Sequence, residues 1–445
     1  MRGITRQIVV EDRNPPQDHD MGISILQPKI LTTMKTYSWS LFIADFLAGL
    51  TVAMVALPLS LAIAIASGAN PAQGLVTAIV GGFFISLLGG SRVQIGGPTG
   101  AFIVVVFMVI AEHGYDGLVL ATFMAGIILL IAGFLRVGNL IAFVPEAVVN
   151  GFTIGIGIII ATSQLKDFLG LSIDDVPADF VEKLSALWDV RDTVNLSALL
   201  VALVTMVLIV VLRRLAPKFP GLIVAVAIGS AMVAFGGLSA DTIASRFGAL
   251  PSQLPVPHIP AFSLERMVEL IPSAIIIAFL AGVESLLSAM VADRMMQGQH
   301  RPNAEVIAQG VANVASSLFG GMPATGAIAR TATNIRAGGK TPVAGIVHAL
   351  VILAFMMLAA PVVGYLALPG LAALLLLTAW NMSEPHKWKS YMSAPMSDRV
   401  LLLVTLVLTV LVDLTVAIGV GVSIGLALRL RNRKRPPAEW ETPDR

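Results

Sequence analysis

The chain has 445 residues, 56% of them hydrophobic and 13% charged, with a formal net charge of +2 and no cysteine. A soluble protein of this length carries about a quarter charged residues, so this composition fits a multi-pass membrane protein and excludes a soluble enzyme or a basic nucleic-acid-binding domain. Without cysteine there are no disulfides, thiolate metal sites or cysteine nucleophiles.

Residues 1–38 are polar, with acids and prolines from Glu11 to Asp20. They read as a cytoplasmic segment, because a signal peptide would put a short basic stretch directly before an apolar one. Fourteen apolar segments follow, the first from about Phe42 to Ser67 with Pro58 as an expected break. The next four run from about Ala72 to Leu88, Thr99 to Ala111, Leu118 to Leu135 and Val144 to Gln164. A polar, acidic connection from Lys166 to Thr193 leads to segments at about Leu196 to Leu212 and Leu222 to Phe235. A proline-rich loop from Leu250 to Pro260 then divides the chain.

The second half has segments at about Met267 to Ala292, Ala304 to Phe319, Gly326 to Ala337, Val343 to Leu366, Pro369 to Trp380, Val400 to Val412 and Leu414 to Leu428. Crossing the hydrocarbon takes about 20 apolar residues. Segments three, ten and twelve fall short of that, so they are expected as half-helices or as helices completed by packed neighbours. The domains expected are a transmembrane unit over 39–430, with repeats at about 42–236 and 265–430, and a basic tail over 431–445.

With both ends placed in the cytoplasm, the extracytoplasmic loops hold only Lys166, Lys183, Arg191, Arg246 and Arg266, and Arg330 lies at membrane depth. The remaining Lys and Arg, with Arg213, Arg214 and Lys218 among them, fall inside, as the positive-inside rule requires. Asp413 then marks an outer turn.

Two stretches interrupt the apolar pattern in matching places. Gly96-Gly97-Pro98-Thr99-Gly100-Ala101 opens segment three, and Met322-Pro323-Ala324-Thr325-Gly326-Ala327 opens segment ten. Each follows a near-identical pentapeptide, Ser86-Leu87-Leu88-Gly89-Gly90 or Ser317-Leu318-Phe319-Gly320-Gly321. Glycine and other small residues are common where membrane helices touch, but a cluster duplicated at two short segments points to a shared site. Seven segments is an odd number, so the second repeat enters the membrane from the opposite side, as in transporters that alternate access to a midplane site. Two half-helix N-termini aimed at one spot offer free N–H groups and roughly half a positive charge each, which suits an anion. Gly97, Gly100 and Gly326 allow close backbone approach, Pro98 suits a first turn, and Thr99 and Thr325 can add hydroxyl donors.

Glu284 sits mid-segment with Ser288 one turn later on the same face, where it can carry a proton, coordinate Na⁺, or bond to a neighbouring helix. Arg330 can meet the anion, pair with Glu284, or reach the cytoplasmic rim. Asp45 and Glu146 lie near helix ends and read as capping or solvated groups. His113, His258, His300 and His386 fall in loops, and His348 reads as a packed helix residue. Gly339-Lys340-Thr341 ends like a phosphate loop, but Asn334 stands where its first glycine should be and no strand precedes it. No catalytic or metal-ligand spacing is present, so neither an enzyme nor a cofactor is expected.

Asp45 to Ala53, Leu57-Pro58-Leu59-Ser60-Leu61-Ala62, Gly97 to Gly100 and Pro323 to Thr331 together resemble the sulfate permease (SulP) family of anion transporters. The resemblance covers about Asp45 to Leu430. It implies an all-α fold of fourteen segments in two inverted repeats of seven, divided into core and gate domains, with the anion between segments three and ten. Carried onto this chain, it names Pro58, Thr99, Gly100, Ala101, Thr325, Gly326, Ala327, Ile328 and Arg330 for substrate, and Glu284 and Ser288 for a coupling ion. The stretch from Glu284 through Arg294 is also similar to the bicarbonate-transporting branch, which binds Na⁺ at such a pair with a shorter acid.

Two features depart from the family pattern. Leu59 stands where many relatives have glutamine, and the chain stops soon after Leu428, where most members continue into a STAS domain. The expected function is a secondary transporter of sulfate, bicarbonate or dicarboxylate, coupled to H⁺ or Na⁺, in a bacterial inner membrane and able to form a homodimer. An exchanger or anion channel of the same fold is the alternative, and a nucleobase permease is a more distant one.

Overall fold

A computed structural model describes residues 26–139, 145–173, 176–216, 220–412 and 414–431. Most of the N-terminal segment, Lys218, Asp413 and the basic tail beyond Arg431 lie outside the described residues.

The described chain is almost entirely helical. In order, the main helices are α1 (Trp39–Ala66), α2 (Pro71–Leu88), α3 (Gly100–Phe134), α4 (Glu146–Leu169), α5 (Phe180–Asp189), α6 (Leu196–Leu215) and α7 (Gly221–Gly236). They continue with α8 (Leu264–Met296), α9 (Pro302–Leu318), α10 (Ile328–Arg336), α11 (Pro342–Val363), α12 (Leu368–Met382), α13 (Met396–Leu411) and α14 (Leu414–Arg431). Each apolar segment expected from the sequence falls on helix. Among the described residues, seven helices are long and apolar enough to cross a membrane: α1, α2, α3, α4, α6, α8 and α11.

Local chemistry explains several boundaries. Asn70 and Gln73 form a capping box ahead of Pro71 at the start of α2. Asp179 caps α5, Asn195 caps α6 and Ser263 caps α8. Segments three and four meet end to end at Gly114, whose φ of 69° breaks α3 into two helices. Pro58 corrects the sequence reading: α1 runs through it without a break. The proline removes one N–H, but α1 is packed against α2 and α11 along its length, and those neighbours hold it helical.

Packing falls into two sets. One joins α1, α2, α3, α8, α9, α10 and α11, with its most extensive contact between α3 and α9. Small residues allow that approach: a Cβ on Gly126 would lie 2.8 Å from the Gly310 carbonyl oxygen. The other set joins α4, α6, α7, α12, α13 and α14. The described structure holds one two-stranded sheet, β1 (Gly96–Gly97) and β2 (Thr325–Gly326), paired antiparallel with Gly96 opposite Gly326 and Gly97 opposite Thr325.

Candidate functional site

The two interrupted stretches are hydrogen-bonded to each other. Besides the β1–β2 pair, Ala327 N–H donates to the Ile95 carbonyl at 2.8 Å, and Ile95 N–H donates to Thr331 Oγ1 at 3.1 Å. Each stretch is also held by side chains from the other half of the chain. Glu305 Oε2 accepts from Gly90 and Ser91 N–H at 2.8 and 3.1 Å, and Asn334 donates to the Val93 carbonyl at 2.8 Å. In the second stretch Thr77 Oγ1 accepts from Met322 N–H at 2.7 Å, from a widened π turn at Thr77–Gly81 in α2. Asn313 grips Ala324 through both its N–H and its carbonyl.

This arrangement sets two helix starts side by side. α3 begins after Thr99 and α10 after Ala327, and neither residue caps its helix with its side chain. The first-turn N–H groups of both helices are therefore left without a side-chain cap, each at the positive end of its helix dipole. Gly100, Ala101, Ile328 and Glu284 are half-buried there and Ala329 is exposed, so the region is reached from outside the protein. A Cβ on Gly100 would meet Met382 Sδ of α12 at 3.1 Å and Ile160 of α4 at 3.7 Å. The second helix set thus closes over the start of α3.

Both threonine hydroxyls are already in use. Thr99 Oγ1 donates to Glu284 Oε2 at 2.7 Å, and the buried Thr325 Oγ1 donates to the Ala281 carbonyl at 2.8 Å. Both partners are on α8. Arg330 does not reach the rim: it is 1% exposed, its Nη2 donates to the Pro98 carbonyl, and its Nε and Nη1 have no hydrogen-bond partner among the described residues. Gly97, at φ 147°, is where the guanidinium approaches, since a Cβ there would lie 2.5 Å from Nη1. Arg330 lies within Coulombic range of Glu284, but the two form no ion pair among the described residues.

Ser288 is fully buried and donates to Thr331 Oγ1 at 3.1 Å, so no hydrogen bond joins it to Glu284. Pro58 is buried on α1, which packs against α10 and α12. No group of three or more His, Asp or Glu residues that could hold a metal occurs among the described residues.

The sequence reading passed over Glu305. It is fully buried, and its Oε1 accepts from Gln94 at 2.9 Å, Ser285 at 2.9 Å and Gln309 at 2.9 Å. With the two backbone donors at Oε2, five N–H and O–H groups converge on one carboxylate, a pattern that suits its ionised form. Glu305, Gln309, Asn313 and Ser316 recur along one face of α9, and that polar stripe was the available signal. Asp45 is buried and holds the chain entering α11, accepting from Lys340 and Thr341 N–H at 2.8 and 3.1 Å, while Thr341 itself caps α11. His348 is packed, as expected, and neither ring nitrogen has a hydrogen-bond partner among the described residues.

A sequence model of the Sulfate permease family matches residues 42–405. The "Putative sulfate transporter YvdB" of Bacillus subtilis (strain 168) is 42% identical over 378 residues, covering 85% of this chain and 71% of that protein. The bicarbonate transporter BicA of Synechocystis sp. is 33% identical, covering 82% of this chain and 66% of its own length. The chain thus spans about two thirds of the length of these relatives. Among solved structures, the transmembrane domain of a cyanobacterium bicarbonate transporter BicA superposes with a TM-score of 0.77 at 32% identity, over 86% of this chain and 98% of that one. Murine Solute Carrier 26 family member A9 superposes at 0.83 with 18% identity, over 97% of this chain and 77% of that one, a likeness of fold.

Proposed function

This chain belongs to the sulfate permease family, and on that premise we propose that it is a secondary active transporter of small oxyanions or carboxylates of the sulfate and bicarbonate class. The observation that carries this reading is the pairing of two uncapped helix starts, Thr99–Gly100 and Ala327–Ile328, across the β1–β2 ladder. Two N-terminal dipoles, with the buried Arg330 guanidinium beside them, make an anion site that needs no exposed cation. Pro58, Gly100, Ala101, Gly326, Ala327 and Ile328 line or back this site in the proposal.

The fourteen segments form two inverted repeats in this reading, and the two packing sets act as core and gate. Both termini are cytoplasmic, the membrane is a bacterial inner membrane, and the transporter can pair as a homodimer. Alternating access follows from sliding the α4/α12 side against the start of α3, where Ile160 and Met382 now sit.

Glu284 is the coupling group. Its Oε2 accepts from Thr99 at the mouth of α3, so a proton or cation arriving at the carboxyl changes what Thr99 can offer the anion. Ser288 is engaged with Thr331. Na⁺ held by Glu284 and Ser288 together would therefore require that bond to open, whereas a proton needs Glu284 alone.

The test is uptake into proteoliposomes of labelled sulfate, bicarbonate, a C4-dicarboxylate and chloride, with imposed H⁺ and Na⁺ gradients. Saturable uptake of one of them, accelerated by one gradient, is expected. Absence of uptake for all four would sink the proposal, and non-saturating conduction would make the protein a channel.

A further inference from the structure

α5 lies in the connection between α4 and α6, and it is turned the unexpected way. Val181, Leu184 and Trp188 are exposed, at 58%, 49% and 67%. The inward face carries Leu187 and the helix's one lysine, Lys183, which is 3% exposed. An amphipathic helix on a soluble surface would reverse this; beside a bilayer the apolar face turns to lipid. The cation is then committed to the interior.

Its surroundings are specific. Lys183 Nζ stands 5.0 Å from the centre of the Phe107 ring on α3 and donates to Ser163 Oγ on α4 at 3.1 Å. Among the described residues it forms no ion pair. Asp179, which acts on it through charge, is spent on capping α5 through Val181 and Glu182 N–H at 2.8 and 3.1 Å. Asp167 is taken by Arg246 at 2.7 Å. Burial pulls the Lys183 ammonium below the usual lysine range, and Asp179 offsets this in part. A buried cation whose direct contacts among the described residues are a hydroxyl and an aromatic face, with Asp179 acting from a distance, leaves room for an anion.

Position supplies the rest. Phe107 lies on α3 between its start at Gly100 and its kink at Gly114, roughly 10 Å along the axis from the start. Ser163 is one turn along α4 from Ile160, the side chain that faces Gly100. α3 and α4 belong to the two different packing sets. Lys183 therefore sits in the seam between them, on the Gly114 side of the half-helix starts.

We infer that Lys183, with Ser163 and Phe107, forms an outer anion-recruiting site in the seam between the two helix sets, which takes a small oxyanion such as sulfate or bicarbonate before it reaches the helix N-termini. This rests on the transport reading for its direction of flow. When the seam opens, the ammonium gives up the Ser163 hydroxyl and meets the anion; when it closes, Ser163 takes the proton donor back.

The experiment uses the full chain in proteoliposomes with labelled sulfate and bicarbonate. K183M is expected to raise the half-saturating concentration at least fivefold for entry from the α5 side. It should leave that for the opposite side within twofold, and K183R should restore wild-type values. An unchanged constant on the α5 side, or an equal rise on both sides, overturns the site. If the wild-type protein carries neither of these two anions, the transport reading rests on the other substrates of its own test. The site is then judged by acylation of Lys183 with a membrane-impermeant succinimidyl ester, followed by mass spectrometry of the peptide. Slowing of that reaction severalfold by sulfate upholds the site, and an unchanged rate overturns it.

Discussion

The starts of α3 and α10 are built on the same plan and finished differently. Each has a threonine that reaches to α8. Thr325 donates to a backbone carbonyl, that of Ala281, and is completely buried. Thr99 donates one turn further on to the carboxyl of Glu284, which is half-buried. A carbonyl cannot titrate or bind and release a proton at ordinary pH; a carboxyl can. One half of the cradle is thus pinned to a fixed acceptor and the other to an ionisable one. In the transport reading proposed above, a duplicated motif divides its labour, with the α10 side as scaffold and the α3 side as the adjustable element.

The largest effect should come from the scaffold. Gly326→Val drives a branched side chain into the Gln94 amide, which is already held by Ser285 at 2.7 Å and by Glu305 at 2.9 Å. Uptake should fall to background while the protein still elutes as a single species; wild-type uptake would show that β2 does not shape the site. On the adjustable side, Glu284→Gln should abolish the dependence of uptake on an imposed ion gradient. Retained gradient stimulation would remove Glu284 from the coupling role.

Arg330→Met should weaken apparent anion affinity about tenfold, equivalent to about 1.4 kcal/mol. An unaltered affinity with a lowered melting temperature would make Arg330 a strut for Pro98. The smallest effects should separate the two threonines. Thr325→Val is expected to cost about 1 kcal/mol of stability, as for one hydrogen bond, with gradient dependence intact. Thr99→Val should leave the melting temperature near wild type and shift the gradient dependence. The opposite assignment would reverse the comparison.

Much of this was legible in the chain. Runs of apolar residues located the helices because a membrane admits little else. The Gly-Pro-Thr-Gly and Pro-Ala-Thr-Gly clusters located the two starts because glycine and proline interrupt such runs. What the chain did not disclose is how these parts are held. Glu305 stands three residues after Pro302, where a carboxylate reads as a solvated first-turn residue, and its donors Gly90, Ser91 and Gln94 lie more than two hundred residues earlier. Asp45 reads as a local cap and instead holds the chain entering α11, because the fold brings Lys340 and Thr341 to it. Pro58 reads as a break because helix rules are written for isolated helices, and α1 is not isolated. Lys183 reads as one of several loop cations, since no local pattern says which face of α5 turns inward.

The β1–β2 ladder also imposes a schedule on the ribosome. Ile95 and its partner Thr331 are 236 residues apart in the chain. At roughly 5 to 20 residues per second, the first must wait on the order of 10 to 50 s for the second to be made. For that interval the backbone of Gly96 and Gly97 stands without its native partners. The insertion machinery, or water admitted with the nascent helices, must shelter it, and translation pauses between α3 and α10 would lengthen the exposure.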